Sequence, residues 1–269
     1  MIRHPVVAGR FYPSDPAELT RSLEFCLNGP PVAPVKRALA CMVPHAGYPF
    51  SGHVAGTVYR SLEPPSRVIL IGPRHFPAGH PLAILSEGEW LTPLGPARID
   101  TALATKLKRA CPLLREDAVA HQREHALEVQ LPFLQCIAEN FTFVPIVLGT
   151  IVLAALEELG EAIARVVEAE PDPVLLVASS DMNHYESDSL TRPKDRMAIE
   201  KILELDPRGL FETVRRHDIS MCGFAAAVTM LFAARALGAT TAELLSYATS
   251  GDITGDREAV VGYAGIIVR

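Results

Sequence analysis

Short, densely apolar runs alternate with stretches whose apolar positions recur at helical spacing, almost from one end of the chain to the other. The runs at residues 38–43, 67–72, 141–148 and 173–180 are rich in Val, Ile and Leu over about the length of a strand, and predict strands buried on both faces. Between them the spacing predicts helices. Asp15-Pro16-Ala17-Glu18 supplies an N-cap, a first-turn proline and a Glu three residues past the cap, opening a helix that runs to about residue 27. Val54, Val58 and Leu62 share one face of a helix over residues 53–62. Further helices are expected over residues 101–110, 153–168 and 122–136, the last carrying Leu127, Leu131 and Leu134, with Pro132 kinking or restarting it. Two more fill residues 194–217 and break at Asp206-Pro207, and residues 221–237 form a helix apolar on nearly every side, hence buried.

Residues 82–99 read as short strands with turns, and residues 244–249 and 260–268 as two closing strands. Asn28-Gly29-Pro30-Pro31 is the most loop-like stretch, but it is too short for a domain linker. The order predicts a single α/β domain over residues 1–269, with helices on both faces of a central sheet that is parallel, or mixed through its late strands.

The polar residues that matter sit where the apolar runs stop. One run is followed by Pro44-His45, one by Pro73-Arg74-His75, and one by Ser179-Ser180-Asp181 with His184 close behind. In open α/β sheets ligands bind just beyond the carboxyl ends of the strands, so these side chains would meet in one cleft. A single loop histidine is usually a surface residue; the threefold recurrence is what argues for a shared site. Cys222 lies near the start of the buried helix, where free N–H groups and the macrodipole favour a thiolate. A thiolate with two imidazoles suits iron, zinc or copper far better than magnesium or calcium. The alternative is that Cys222 only fills a tight helix-packing position.

Glu124-His125 either orients a ligand from behind or holds a substrate, the alternative being an ordinary exposed helix face. The run from Ser250 to Asp256, with Asp252 in it, lacks the ending and the context of a phosphate loop and is expected to form a tight turn at the rim of the cleft. His4, His53, His80, His121 and His217 have no comparable setting and read as structural or solvated.

A formal net charge of −6 and the lack of a basic stripe argue against nucleic acid as a partner. No apolar run approaches the roughly 18 residues that span a bilayer, and the first residues lack the apolar core of a secretory signal, so a cytoplasmic protein is expected. Five scattered cysteines with no CxxC spacing give neither a disulfide framework nor a zinc knuckle.

Several motifs, in order along the whole chain, resemble the Memo family. They are Val6-Val7-Ala8-Gly9-Arg10-Phe11-Tyr12-Pro13, Pro44-His45-Ala46-Gly47-Tyr48 with Ser51-Gly52, Gly72-Pro73-Arg74-His75, and Glu124-His125 with Leu131-Pro132-Phe133-Leu134. Ser179-Ser180-Asp181 with His184, Met221-Cys222-Gly223, and Ser250-Gly251-Asp252 through Gly262-Tyr263 complete the set. In prokaryotes such proteins are called AmmeMemoRadiSam system protein B, after a proposed association with a radical SAM protein and an AMMECR-type protein. The resemblance implies a three-layer αβα fold like that of class III extradiol dioxygenases, which are non-haem Fe(II) enzymes. It makes His45 and His75 metal ligands with Cys222 as the third, and His184 the catalytic acid/base with Asp181 beside it. Tyr48, Arg74, Glu124, His125 and Asp252 become candidates for touching substrate or supporting the ligands. Extradiol enzymes complete their site with a carboxylate where this chain offers Cys222, so catechol cleavage does not follow from the fold. Arg74, where a small residue is expected, would set a cation near the mouth and select an anionic ligand.

Three readings follow. The first is a metal-dependent redox protein, Fe(II) before copper, with His184 moving a proton. The second is an accessory module whose cleft takes a peptide or small ligand, with no catalysis. The third is zinc-dependent hydrolysis, with Glu124 or Asp181 as the base.

Overall fold

The computed structural model describes residues 1–29 and 37–269; Pro30 and Pro31 of the expected loop lie outside them. Among the described residues the strands are β1 (Ile2–Arg3), β2 (Ala40–Val43), β3 (Arg67–Pro73), β4 (Leu82–Ile84), β5 (Glu89–Thr92), β6 (Gly95–Ile99), β7 (Arg115–Glu116), β8 (Thr142–Leu148), β9 (Leu175–Ser179), β10 (His184–Glu186), β11 (Ala242–Thr249) and β12 (Val260–Val268). The helices are α1 (Pro16–Leu27), α2 (Tyr48–Tyr59), α3 (Thr101–Ala110), α4 (Ala118–Gln122), α5 (Leu131–Ile137), α6 (Leu153–Glu168), α7 (Asp188–Leu203), α8 (Pro207–Arg216), α9 (Phe224–Ala236) and α10 (Ser250–Thr254).

All the strands join one mixed sheet, with the order β1-β5-β6-β8-β3-β9-β2-β12-β10 and with β11 also on β12. Its centre, β8-β3-β9-β2, is parallel, and β12 runs antiparallel to β2. The strand side chains alternate between two cores, as a period of two requires. Ala40, Met42, Ile69, Ile71, Leu176 and Ala178 face α3, α6, α7, α8 and α9, while Cys41, Val43, Val68, Leu70 and Val177 face α1, α2 and α5. The result is the three-layer αβα arrangement, with the central strands covered on both sides.

The capping chemistry sets most helix bounds as expected. Asp15 accepts the Glu18 N–H at 2.9 Å, and Asp206 caps α8 at the predicted break. Four elements differ. Helix α7 begins at Asp188, six residues before the expected start at 194, and carries Pro193 within it. Helix α2 begins at Tyr48, because Gly47 caps it and Pro49 fits its first turn, before the apolar spacing becomes legible. The expected helix over residues 122–136 is instead α4, an irregular stretch, a 3₁₀ turn at Glu128–Gln130 and α5, which Pro132 restarts. The Glu124 carboxylate accepts the N–H groups of His125 and Ala126, each at 2.9 Å, and so ends the first helix. The run after Thr249 is not a bare turn but α10, closed by a reciprocal capping box between Thr249 and Asp252.

Candidate metal-binding cleft

The parallel strands β3, β9 and β2 are adjacent, with Ile71 beside Ala178 and Val43 beside Ser179 in register. Their carboxyl ends therefore open on one edge of the sheet. His45 lies two residues past β2, Asp181 two past β9 and His75 two past β3. Beyond them is a cleft of about 550 Å³ lined by His45, His75, His125, Asp181, His184 and Cys222, with Phe11, Phe50 and Tyr185 among its apolar walls.

One ligand atom from each of His45, His75 and His125 lies within 4.8 Å of the others. Cys222 Sγ approaches His45 Nε2 to 3.2 Å. His125, read from sequence as supporting or substrate-holding, is thus a third imidazole at the same point. Its ring stacks on His75 with centroids 4.6 Å apart, and Phe11 meets it edge-on at 4.8 Å.

The hydrogen bonds behind the rings assign their protons. Ser179 Oγ has one hydrogen, given to the Ala126 carbonyl at 2.7 Å, and it accepts from Gln130 Nε2 at 2.9 Å. At 2.9 Å from His45 Nδ1 it can only accept again, so His45 carries its proton on Nδ1 and keeps a lone pair on Nε2. The Glu124 carboxylate, 2.8 Å from His75 Nδ1, imposes the same tautomer on that ring. The Ser220 carbonyl, 2.9 Å from His184 Nδ1, imposes it on the ring across the cleft. Imidazoles held by Nδ1–H on a protein oxygen are what metal ligation uses, since the partner fixes ring and tautomer together.

The charges follow from burial. Burial and the neighbouring His75 push His45 down to about 3. Burial and His45 push His125 down to about 4, so both rings are neutral at pH 7. Around His75 burial opposes the charge, but the hydrogen bond and charge of Glu124 outweigh it and hold this ring above its ordinary value. Burial likewise works against Glu124, yet His75 and the surrounding N–H groups bring it down to about 2. Asp181 is raised by burial, although its Oδ1 accepts the His45 N–H at 2.7 Å and the Ala46 N–H at 3.3 Å.

Cys222 departs from the expected thiolate. Helix α9 starts only at Phe224, and burial with the nearby Asp181 charge holds the thiol well above its usual range. Against the unprotonated Nε2 of His45 this thiol is therefore a donor. It remains beside the rings rather than in the packing of α9, where the structural alternative put it.

Four of the sequence candidates are not in the cleft lining: Glu124 lies behind the His75 ring, and three others are engaged elsewhere. Tyr48 is buried and donates to the Val129 carbonyl at 2.8 Å. Arg74 turns to the Gly79 carbonyl and packs against Gly149. Asp252 accepts from Arg192 at 2.7 Å and caps α10. Ser179, Gln130 and Ser220 hold the rings from behind without any sign in the sequence, because a lone Ser or Gln leaves no spacing signal. Glu128 and Gln130, next to the Glu124-His125 pair, are fully buried despite their polar character.

A family model described as Memo-like protein matches residues 3–267. A MEMO1 family protein of Methanopyrus kandleri is 43% identical, over 100% of this chain and 99% of its own length. One from Methanosarcina barkeri is 41% identical over 100% of both chains. Among solved structures, an uncharacterized protein of Escherichia coli K12 aligns with a TM-score of 0.58 at 12% identity, covering 86% of this chain and 100% of that one. At that identity the likeness speaks for the fold alone. No helix among the described residues is long and apolar enough to cross a membrane.

Proposed function

This chain belongs to the Memo-like protein family, and from that membership we propose that its cleft is the site of a metal-dependent redox reaction on a small molecule. The observation that carries the reading is the convergence of His45, His75 and His125, two of them with Nδ1 already committed to a protein oxygen and Nε2 left as a donor. The donor set fits a borderline transition ion, Fe(II) first and copper second, because soft sulfur and imidazole nitrogen disfavour magnesium and calcium. His45 and His75 would hold the ion, with Cys222 or His125 as the further ligand. When bound, such an ion supplies one-electron chemistry at an open coordination position.

The chain's own residues do the rest. Glu124 and Ser179 keep two ligand rings in place. Cys222 gives up its proton if it ligates, which ties affinity to pH. His184, with its Nδ1 held on the Ser220 carbonyl and its ring in the cleft wall, exchanges a proton with substrate through Nε2. Phe11, Phe50 and Tyr185 narrow the cleft against water. Partnership with a radical SAM protein and an AMMECR-type protein remains part of the proposal on the family resemblance.

Elemental analysis of anaerobically purified protein tests it. Iron at about one equivalent is expected, falling below about a tenth of that in His45→Ala, since even the groups behind ligands are worth 10–100-fold in affinity. Full retention of iron in both His45→Ala and Cys222→Ala ends the reading. The third imidazole favours one competing outcome, zinc alone at about one equivalent, because three histidines and an open position also make a hydrolytic zinc site.

A further inference from the structure

Arg10, in the amino-terminal motif, has no part in the chemistry above, yet the fold goes to some length to place the segment that carries it. Residues 6–12 form a strap across one side of the cleft. Both of its ends are bolted by the buried Glu128 carboxylate, which accepts the Val6 N–H at 2.9 Å, the Val7 N–H at 3.0 Å and the Tyr12 hydroxyl at 2.8 Å. The turn closes on itself: Arg10 and Phe11 donate to the Val7 carbonyl at 3.0 and 2.9 Å, and Gly9 donates to the Tyr12 carbonyl at 2.7 Å. Gly9 takes a φ of 78°, which a larger side chain would resist. The Phe11 carbonyl then accepts the Tyr48 N–H at 2.7 Å, tying the strap to the first turn of α2 and so to the His45 loop.

What the strap delivers to the cleft is Phe11, against His125, and the Arg10 guanidinium. Histidines apart, Arg10 is the one cation among the described residues lining the cleft, and no carboxylate pairs with it there. It spends Nη2 on the Val6 carbonyl at 2.7 Å, a bond that steadies the group and leaves its other N–H groups facing solvent. Asp181, Ser220 and Cys222 are the other polar lining residues, with the Asp181 carboxylate turned to the His45 and Ala46 N–H groups, and the rest of the wall is apolar or aromatic: Phe11, Phe50, Tyr185, Ala46 and Val261. An unpaired cation at one side of a cleft of this volume with several aromatic walls suits an organic anion with a flat apolar body.

We propose that Arg10 is a specificity-determining residue that anchors the carboxylate of an aromatic or similarly apolar acid, holding its body between Phe11 and Tyr185. The proposal rests on the small-molecule reading of the cleft given above, but not on which metal is present. The role the sequence suggested for Arg74 falls to Arg10, because Arg74 turns away to the loop at Gly79.

The test uses the full chain as purified, wild type and Arg10→Gln, with metal content and thermal midpoint measured on every sample. The probes are benzoate and its neutral isostere benzamide, followed by saturation-transfer NMR at low ionic strength. Benzoate should bind the wild type at least about ten-fold more tightly than benzamide, and the margin should shrink as salt is added. Arg10→Gln should erase the margin and leave benzamide binding, metal content and stability as they were. Benzoate that binds the wild type no better than benzamide, or equally well in both proteins, overturns the inference. Metal loss in His45→Ala is read separately, so the failure of one reading does not masquerade as failure of the other.

Discussion

Glu124 and Glu128 stand four residues apart, both fully enclosed, and the protein uses them in opposite ways. Glu124 gives its oxygens to the His75 ring, the His75 N–H and the N–H groups of His125 and Ala126. Glu128 gives its oxygens to Arg3, the strap backbone and Tyr12, with Arg3 Nη1 at 2.7 Å. The first carboxylate orients a histidine ring of the cleft and the second secures architecture. Arg3 joins them, since its Nη2 donates to the Glu124 carbonyl at 2.6 Å while it lies 4.0 Å over the Trp90 ring. The contrast shows that burial of an acid says nothing by itself about its role; its donors do.

The sharpest way to break the comparison is Glu128→Ala. It strands the Arg3 charge in the interior and leaves the Val6 and Val7 N–H groups unpaired, and should cost about 3–5 kcal/mol in urea unfolding. A loss below about 1 kcal/mol would remove the distinction. Glu124→Gln should cost less stability, about 1–2 kcal/mol, but should weaken metal binding by about 10–100-fold in a chelator competition.

Acid titration separates the two further. The Glu124 carboxyl lies at about 2 in the folded protein, below its ordinary 4.5, so its stabilising contribution is complete above pH 4.5 and is lost as the pH falls toward 2. Glu124→Gln should flatten the stability profile over that window. The smallest effect belongs to a third acid outside the cleft. Asp252→Ala removes one half of a helix cap and an ion pair with Arg192, and should cost about 1 kcal/mol while metal affinity stays within about two-fold of wild type.

The same pair explains what could be read in advance. Strands β2, β3, β8 and β9 were legible because burial on both faces leaves their middles apolar, and His45 and His75 because each comes two residues past such a strand. The segment around Glu124 was not, because Leu127, Leu131 and Leu134 fall at helical spacing and describe an exposed polar face where the chain in fact turns three polar residues inward. Helical periodicity reports which apolar residues pack together; it does not report that Glu124, Glu128 and Gln130 find buried donors and acceptors from distant segments. Ser220 and Arg10 escaped for a related reason. Their importance comes from the loop that carries them, and a loop's path is set by contacts distant in sequence, Asn183 and His184 for Ser220 and Glu128 for the strap of Arg10.

Only one residue separates Val43 from His45, Pro73 from His75, and Ser179 from Asp181. Tethers this short allow the side chains almost no travel unless neighbouring strands slide against each other, which their shared ladder of main-chain bonds forbids. An arriving ion would therefore find its seat already shaped, with little ordering left to do, and exchange of one ion for another should leave the surrounding polypeptide nearly still.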